Sequence, residues 1–191
     1  MKIFVIASII LIITTIFSNS SIYAQGYGIF TDNRDGHVYK IEKIGNQVWI
    51  VENLHYKTSS GCWAYDNDEG KASKYGYLYD YETAKTACPN GWKLPSKSDF
   101  DTLLENCGDD EKAAYKVLIT GGDSGFSTLF GGCRYDDGNF YGLNHYAHFW
   151  STTQHSSKFG WFLYLYGNHK KAGMGNFHKS YGFSVRCLQD N

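Results

Sequence analysis

The chain has 191 residues, with 18 Lys and Arg against 19 Asp and Glu, a formal net charge of −1. No basic run or stripe is present, which argues against nucleic acid or an anionic membrane surface as principal partners. Aromatic residues make up 17% of the chain, led by 16 Tyr, alongside 21 Gly and only 2 Pro; many short strands joined by glycine turns produce such a composition.

The pattern at the start is that of a secretory signal. Met1-Lys2 is a basic beginning, Ile3 to Phe17 is an apolar run, and Ile22-Tyr23-Ala24 fits a cleavage site before Gln25. The run is shorter than the ~20 residues that a spanning helix needs. No cysteine follows it until Cys62, so a lipoprotein anchor is not expected. Residues 1–24 are therefore read as a signal peptide, 25–34 as a short leader and 35–191 as one domain. The expected location is outside the cytoplasm: periplasmic, cell-surface or extracellular.

In the expected domain, His37 to Ile44 has β-branched and aromatic residues in alternation and Gln47 to Leu54 reads as a second strand; two such runs around Gly45-Asn46 are the signature of a hairpin. His55 to Lys74 is polar and reads as a long loop. Tyr75 to Tyr79 reads as a short strand. Asp80 can cap a helix running to about Cys88, ended by Pro89-Asn90-Gly91. Trp92 to Leu94 reads as extended. Ser96-Lys97-Ser98-Asp99 resembles a capping box with Asp in place of the usual Glu. The helix it opens turns Phe100, Leu103, Leu104 and Cys107 inward and stops at Gly108. Asp109-Asp110-Glu111 favours a further helix N-terminus, running to about Ile119. The remainder is β-like, with strands expected at 126–130, 133–135, 147–152, 161–166 and 182–188. Trp161 to Tyr166 is apolar or aromatic at every position, as in a central strand covered on both faces.

Five cysteines in an exported chain point to disulfides, and the odd count leaves at least one thiol. Cys88 and Cys187 bracket a body rich in Gly, Tyr and Trp. Were they to pair, the loop of about one hundred residues would stabilise the fold by roughly 4–5 kcal/mol in the chain-entropy model. Cys107 and Cys133 form a second candidate pair, which leaves Cys62 as a buried free thiol.

An ordered set of short segments resembles the Fibrobacter succinogenes major paralogous domain family. These are Asp35 to Lys40, Ile44 to Trp49, Glu52-Asn53-Leu54, Tyr75 to Tyr79 and Cys88 to Ser96, then Gly125-Phe126-Ser127, Gly131-Gly132 with Arg134, Phe149 to Thr152 and Tyr181 to Cys187. The resemblance implies a bacterial protein with a variant C-type lectin-like fold: α+β, with two main helices, a twisted antiparallel sheet and a long irregular loop region. It also implies N- and C-terminal strands lying together and a helix cysteine bonded to one in the last strand, positions that Cys88 and Cys187 match. Cys133 stands where members often carry Tyr, and the second cysteine that often follows the position of Cys62 is missing. The calcium-dependent sugar motifs of true C-type lectins are absent, so the fold alone does not carry that activity.

Chemical constellations are sparse. Asp66, Asp68 and Glu69 concentrate hard oxygens, the donor type calcium takes, which makes calcium the metal this loop would hold; the plain alternative is a solvated loop. Asp136-Asp137-Gly138-Asn139 reads as a turn. His145 and His148 should face opposite sides of a strand, which disfavours joint ligation. No nucleophile motif or placed carboxylate pair stands out. Trp63, Tyr65, Tyr135, Tyr141, His145 and Tyr146 lie in or beside loops and are the expected ligand-binding residues. Trp49, Trp92, Trp150 and Trp161 are expected in the core. Arg134 and Arg186 are expected to be structural partners of carbonyls or Asp. The expected function is an exported, non-catalytic binding module, without a cofactor, that recognises a glycan or a cell-surface protein. The alternatives are a cysteine-dependent enzyme, as in the formylglycine-generating enzymes of related fold, with Cys62 or Cys133 as nucleophile, and a structural subunit of a surface complex.

Overall fold

The computed structural model describes residues 28–190. The expected signal peptide and the first residues of the expected leader lie outside the described residues. Residues 28–31, also expected in the leader, instead form β1 (Gly28–Thr31), an edge strand antiparallel to β2 (Val38–Ile44). Alternation explains it: Phe30 packs on Trp92 with ring centroids 5.2 Å apart, while Ile29 faces outward. β2 turns through Gly45, at φ 60°, into β3 (Gln47–Ile50), as the Gly-Asn signal predicts.

The stretch read as one long loop is more ordered than its polarity suggests. It contains β4 (Cys62–Trp63), a 3-10 turn at Tyr65–Asn67 and α1 (Glu69–Tyr75). The Asp68 carboxylate accepts the Gly70 N–H and caps α1. Inward Ala72 and Tyr75 then anchor a helix too short and too charged to register as periodic. β5 (Leu78–Tyr79) pairs with β4. Asp80 caps α2 (Tyr81–Ala87) through the Thr83 N–H, and Cys88 sits at its C-cap.

β6 (Trp92–Lys93) leads to α3 (Lys97–Cys107). The expected capping box forms: Ser96 Oγ accepts the Asp99 N–H, and the Asp99 carboxylate accepts the Ser96 N–H. α4 (Glu111–Leu118) opens on Asp110, which accepts the Lys112 and Ala113 N–H groups at 2.8 Å. The described residues thus hold four α-helices, against two main ones implied by the resemblance.

Then follow β7 (Gly131–Arg134), β8 (Phe140–Leu143), β9 (Tyr146–Gln154), β10 (Phe159–Tyr166), β11 (Lys171–His178) and β12 (Leu188–Gln189). Two five-stranded sheets result, ordered β1-β2-β3-β12-β6 and β11-β10-β9-β7-β8, with β4-β5 as a third, small sheet. The named ladders are antiparallel except β7–β9, which is parallel at Gly132 and Ala147. The expected strand at 126–130 reduces to one bridge between Ile119 and Thr128.

Residues 182–188, expected as one strand, change partner every residue or two. Gly182 exchanges hydrogen bonds with Arg134, and Phe183 does so with Tyr79. Ser184 donates to the His148 carbonyl and accepts from Trp150, and Leu54 and Ile50 donate to the Val185 and Cys187 carbonyls. No single ladder is long enough to be regular. The segment instead stitches both large sheets and the β4-β5 pair together, and Cys187 bonds Cys88 across a Cα–Cα distance of 5.9 Å. The expected Cys107–Cys133 pair does not form. Both are buried free thiols, and they sit in separate apolar clusters on opposite sides of the second sheet.

That sheet is covered on both faces, as the apolar run in β10 predicts. Ala147, Phe149, Leu163, Leu165 and Ala172 pack with Leu103, Ala114 and Leu118 of α3 and α4. On the other face Trp150 and Phe162 meet Phe183, Val185 and Tyr79. Trp49, Trp92 and Trp150 are core residues as expected. Trp161 is only half-buried, at a register shift between β9 and β10, with Lys97 Nζ 5.2 Å from its ring centroid.

Arg186 is fully buried. Its guanidinium donates to the Phe126 and Ser127 carbonyls and to Asn53 Oδ1, and it lies over the Phe126 ring at 4.4 Å. Burial lowers its pKa to about 9, still above neutrality, so the charge is retained. Asn53 turns its amide nitrogen to the Tyr75 carbonyl at 2.8 Å. One buried Asn-Arg pair therefore ties the first hairpin, α1 and the C-terminal segment together.

Candidate binding site

The aromatic face of the second sheet does not close completely. Period-two alternation along β9 and β10 puts Tyr146, His148, Phe162 and Tyr166 on this side, with Tyr146 opposite Tyr166. Phe177 of β11 and Phe183 of the stitching segment supply two more walls. Tyr135, just after β7, and His169, in the β10–β11 turn, complete a pocket of about 210 Å³. An engineered apolar cavity of ~150 Å³ accepts benzene, so this space suits one six-membered ring.

His148 forms one wall of this pocket. Its side chain is buried, and neither ring nitrogen has a hydrogen-bond partner among the described residues. Aromatic rings surround it: Phe183 at 4.7 Å, Phe162 at 5.0 Å and Tyr166 at 5.6 Å edge-on, with Tyr146 stacked at 5.8 Å. Burial lowers its pKa to about 3, so the imidazole is neutral at neutral pH and offers one donor and one acceptor. Burial also holds the Tyr135 and Tyr166 phenols above their ordinary value, which keeps them protonated as donors. Among the described residues, no carboxylate, lysine or arginine lines the pocket. The arrangement provides flat apolar area with a few hydrogen-bonding groups, suited to an uncharged ring.

Glycine sets the rim. Gly142 in β8 has φ 72°, and a Cβ there would lie 2.1 Å from the Tyr146 ring. Only a glycine lets that ring lie against the β8 backbone. Beside it, Tyr135 packs between Tyr141 and Tyr181, each with ring centroids 4.6 Å away. Tyr141 is 40% exposed, and its hydroxyl donates to Asp137 at 3.3 Å.

Of the six expected ligand-binding residues, the structure brings Tyr135 and Tyr146 into the pocket, with Tyr141 on its flank. His145 is exposed and bonds Asn168 at 3.1 Å. Trp63 is half-buried under the Arg134 guanidinium at 4.2 Å, and Tyr65 is buried against Phe140. Those three are outside the pocket lining. His148, Phe162, Tyr166, His169, Phe177 and Phe183 were missed. The alternation of His148 with Tyr146 along β9 was a readable signal, but the walls contributed by β11 and by residue 183 exist only through folding.

The expected calcium ligands do not converge. Asp66 pairs with Lys71, Asp68 caps α1, and Glu69 pairs with Lys57 and accepts from the Tyr77 hydroxyl. A charged short helix needs those carboxylates for its own cap and ion pairs.

The Cys107 and Cys133 thiols are raised by burial to about 11 and about 12, and Cys133 donates to the Tyr141 carbonyl. Cys62 is half-buried and donates to the Thr58 carbonyl at 3.5 Å. No helix among the described residues is long and apolar enough to cross a membrane.

No curated protein and no solved structure gives a match to this chain. The model of the Fibrobacter succinogenes major domain matches residues 43–189, from β2 to the last strand, and the chain belongs to that family.

Proposed function

We propose that this protein is an exported, non-catalytic binding module that recognises a glycan through one sugar ring held in the aromatic pocket. The carrying observation is a ring-sized pocket that contains a buried His148 with both nitrogens unpartnered among the described residues. A buried polar group without partners is costly to the free protein. A ligand hydroxyl that satisfies it removes that cost, while the flanking aromatics stack on the ring. A lining without carboxylate, lysine or arginine among the described residues favours an uncharged sugar over a charged peptide.

The export reading is supported by the signal-like N-terminus and by the disulfide, a bond that persists in oxidising compartments. The C-type lectin-like reading is supported by β12 lying beside β3 and by the staple from the end of α2 to the residue before β12. Burial holds the Cys133 thiol protonated, which favours binding over cysteine chemistry at that residue.

Probing a glycan array with the secreted protein, followed by calorimetry on the hits, tests the reading. Tyr146→Ala should weaken a hit at least tenfold, and Trp63→Ala, outside the pocket, should leave it unchanged. An array without hits, or equal effects of the two substitutions, overturns it.

A further inference from the structure

A second group of side chains gathers at the far end of the first hairpin, remote in sequence from the aromatic pocket. His37 directly precedes β2, while Glu52 and His55 follow β3. The antiparallel ladder continues past β3, with the Val51 N–H donating to the Lys40 carbonyl at 3.0 Å. That pairing carries residues 52–55 back alongside residues 37–40. One ligand atom from each of His37, Glu52 and His55 lies within 4.8 Å of the others. The two imidazoles face each other, with ring centroids 4.2 Å apart and planes 13° apart.

We propose that His37, Glu52 and His55 form a binding site for a borderline divalent transition metal, with zinc the first candidate. Two imidazoles and one carboxylate are a donor set that zinc accepts, with a water in the fourth position. Calcium wants six to eight oxygens and is poorly served by two nitrogens.

Three observations single out this cluster. His37 Nε2 is shielded from solvent and has no hydrogen-bond partner among the described residues, so a lone pair or a proton is left without a use. The supports a metal site needs are present. Glu52 Oε1 accepts the Lys40 N–H at 2.8 Å, which orients the carboxylate, and the Tyr39 hydroxyl accepts the His55 N–H at 2.9 Å, which fixes the backbone of that ligand. Finally, an open cleft of about 340 Å³, lined in part by Asp35, His37, His55 and Tyr77, reaches both imidazoles, giving an ion and its water a way in. Stacked rings send their lone pairs along parallel lines, so metal entry must rotate one ring until both point at a common centre. The inference does not rest on the glycan reading.

Calorimetric titration of the secreted protein with zinc, in a Cys62→Ser background that removes the half-buried thiol, tests the site. One equivalent should bind, and His37→Gln and His55→Gln should each weaken it at least tenfold, the lower end of what even an outer-sphere change costs a metal site. His155→Gln should have no effect. Because a stacked pair also contributes to folding, a second measurement uses the unsubstituted histidines. Copper(II) should broaden the ring proton signals of His37 and His55 before those of His145, His155, His169 and His178. No zinc uptake, uptake indifferent to both substitutions, or uniform broadening overturns the proposal.

Discussion

Replacing His148 by Phe should flatten the acid side of the stability curve. The His148 imidazole is buried among four aromatic rings, and its pKa falls to about 3, against an ordinary value near ~6.5 in the unfolded chain. Between those values the unfolded state binds a proton that the folded state refuses, so stability falls as pH drops through that window. At pH ~4.5 the unfolded group lies two pH units below its pKa while the folded one is still neutral, so the loss relative to pH ~7.5 is roughly 3 kcal/mol. A phenyl ring in place of the imidazole would titrate nothing and would keep the edge-on ring contacts. Urea unfolding of the parent and the His148→Phe variant at the two pH values gives four free energies. The double difference removes His55, which burial also holds low, at about 4, and every carboxylate common to both chains. A value near 3 kcal/mol, with the His148→Phe variant the less acid-sensitive protein, is expected. A value below about 1 kcal/mol would mean that His148 is protonated in the folded state or reached by water, and the neutral-wall argument for the pocket would fail with it.

The Cys88–Cys187 bond closes a sequence separation of 99 residues. Replacing both by Ala should cost about 4–5 kcal/mol in the chain-entropy model, read as a lower urea midpoint, and reduction of the native protein should reproduce it. A change below about 1 kcal/mol would show that the stitching segment holds without its staple. Arg186→Ala should cost about 3 kcal/mol or more, since it strands the Phe126 and Ser127 carbonyls and Asn53 Oδ1 in the core. Arg186→Lys should recover only part, because an ammonium lacks the fork that reaches all three; full recovery, measured by thermal melting, would refute that account.

Local signals were legible where the chemistry is local. Ser96 and Asp99 form the reciprocal cap written in four consecutive residues, Asp80 and Asp110 cap as their positions suggest, and Gly45 makes the hairpin turn. The first hairpin, three helices and the covered strand β10 were readable for the same reason. Elements whose stability comes from distant partners were not. α1 depends on Ala72 and Tyr75 entering a core built by other segments, β1 on Trp92, and β8 and β11 on pairing with β7 and β10. Cys107 and Cys133 look alike in sequence, yet they enter clusters on opposite sides of a sheet.

By itself the sequence determined the family, and with it the pairing of Cys88 with Cys187, the helix caps and the aromatic stock from which a site would be made. All of these depend on residue type and short spacing. Tertiary structure alone decided which aromatics share a pocket, that His148 stands there without a hydrogen-bond partner among the described residues, and that His37 meets Glu52 and His55. The reason is geometric: strand alternation fixes the face on which a side chain lies, but only sheet order and the route of residues 182–189 bring faces from different strands together.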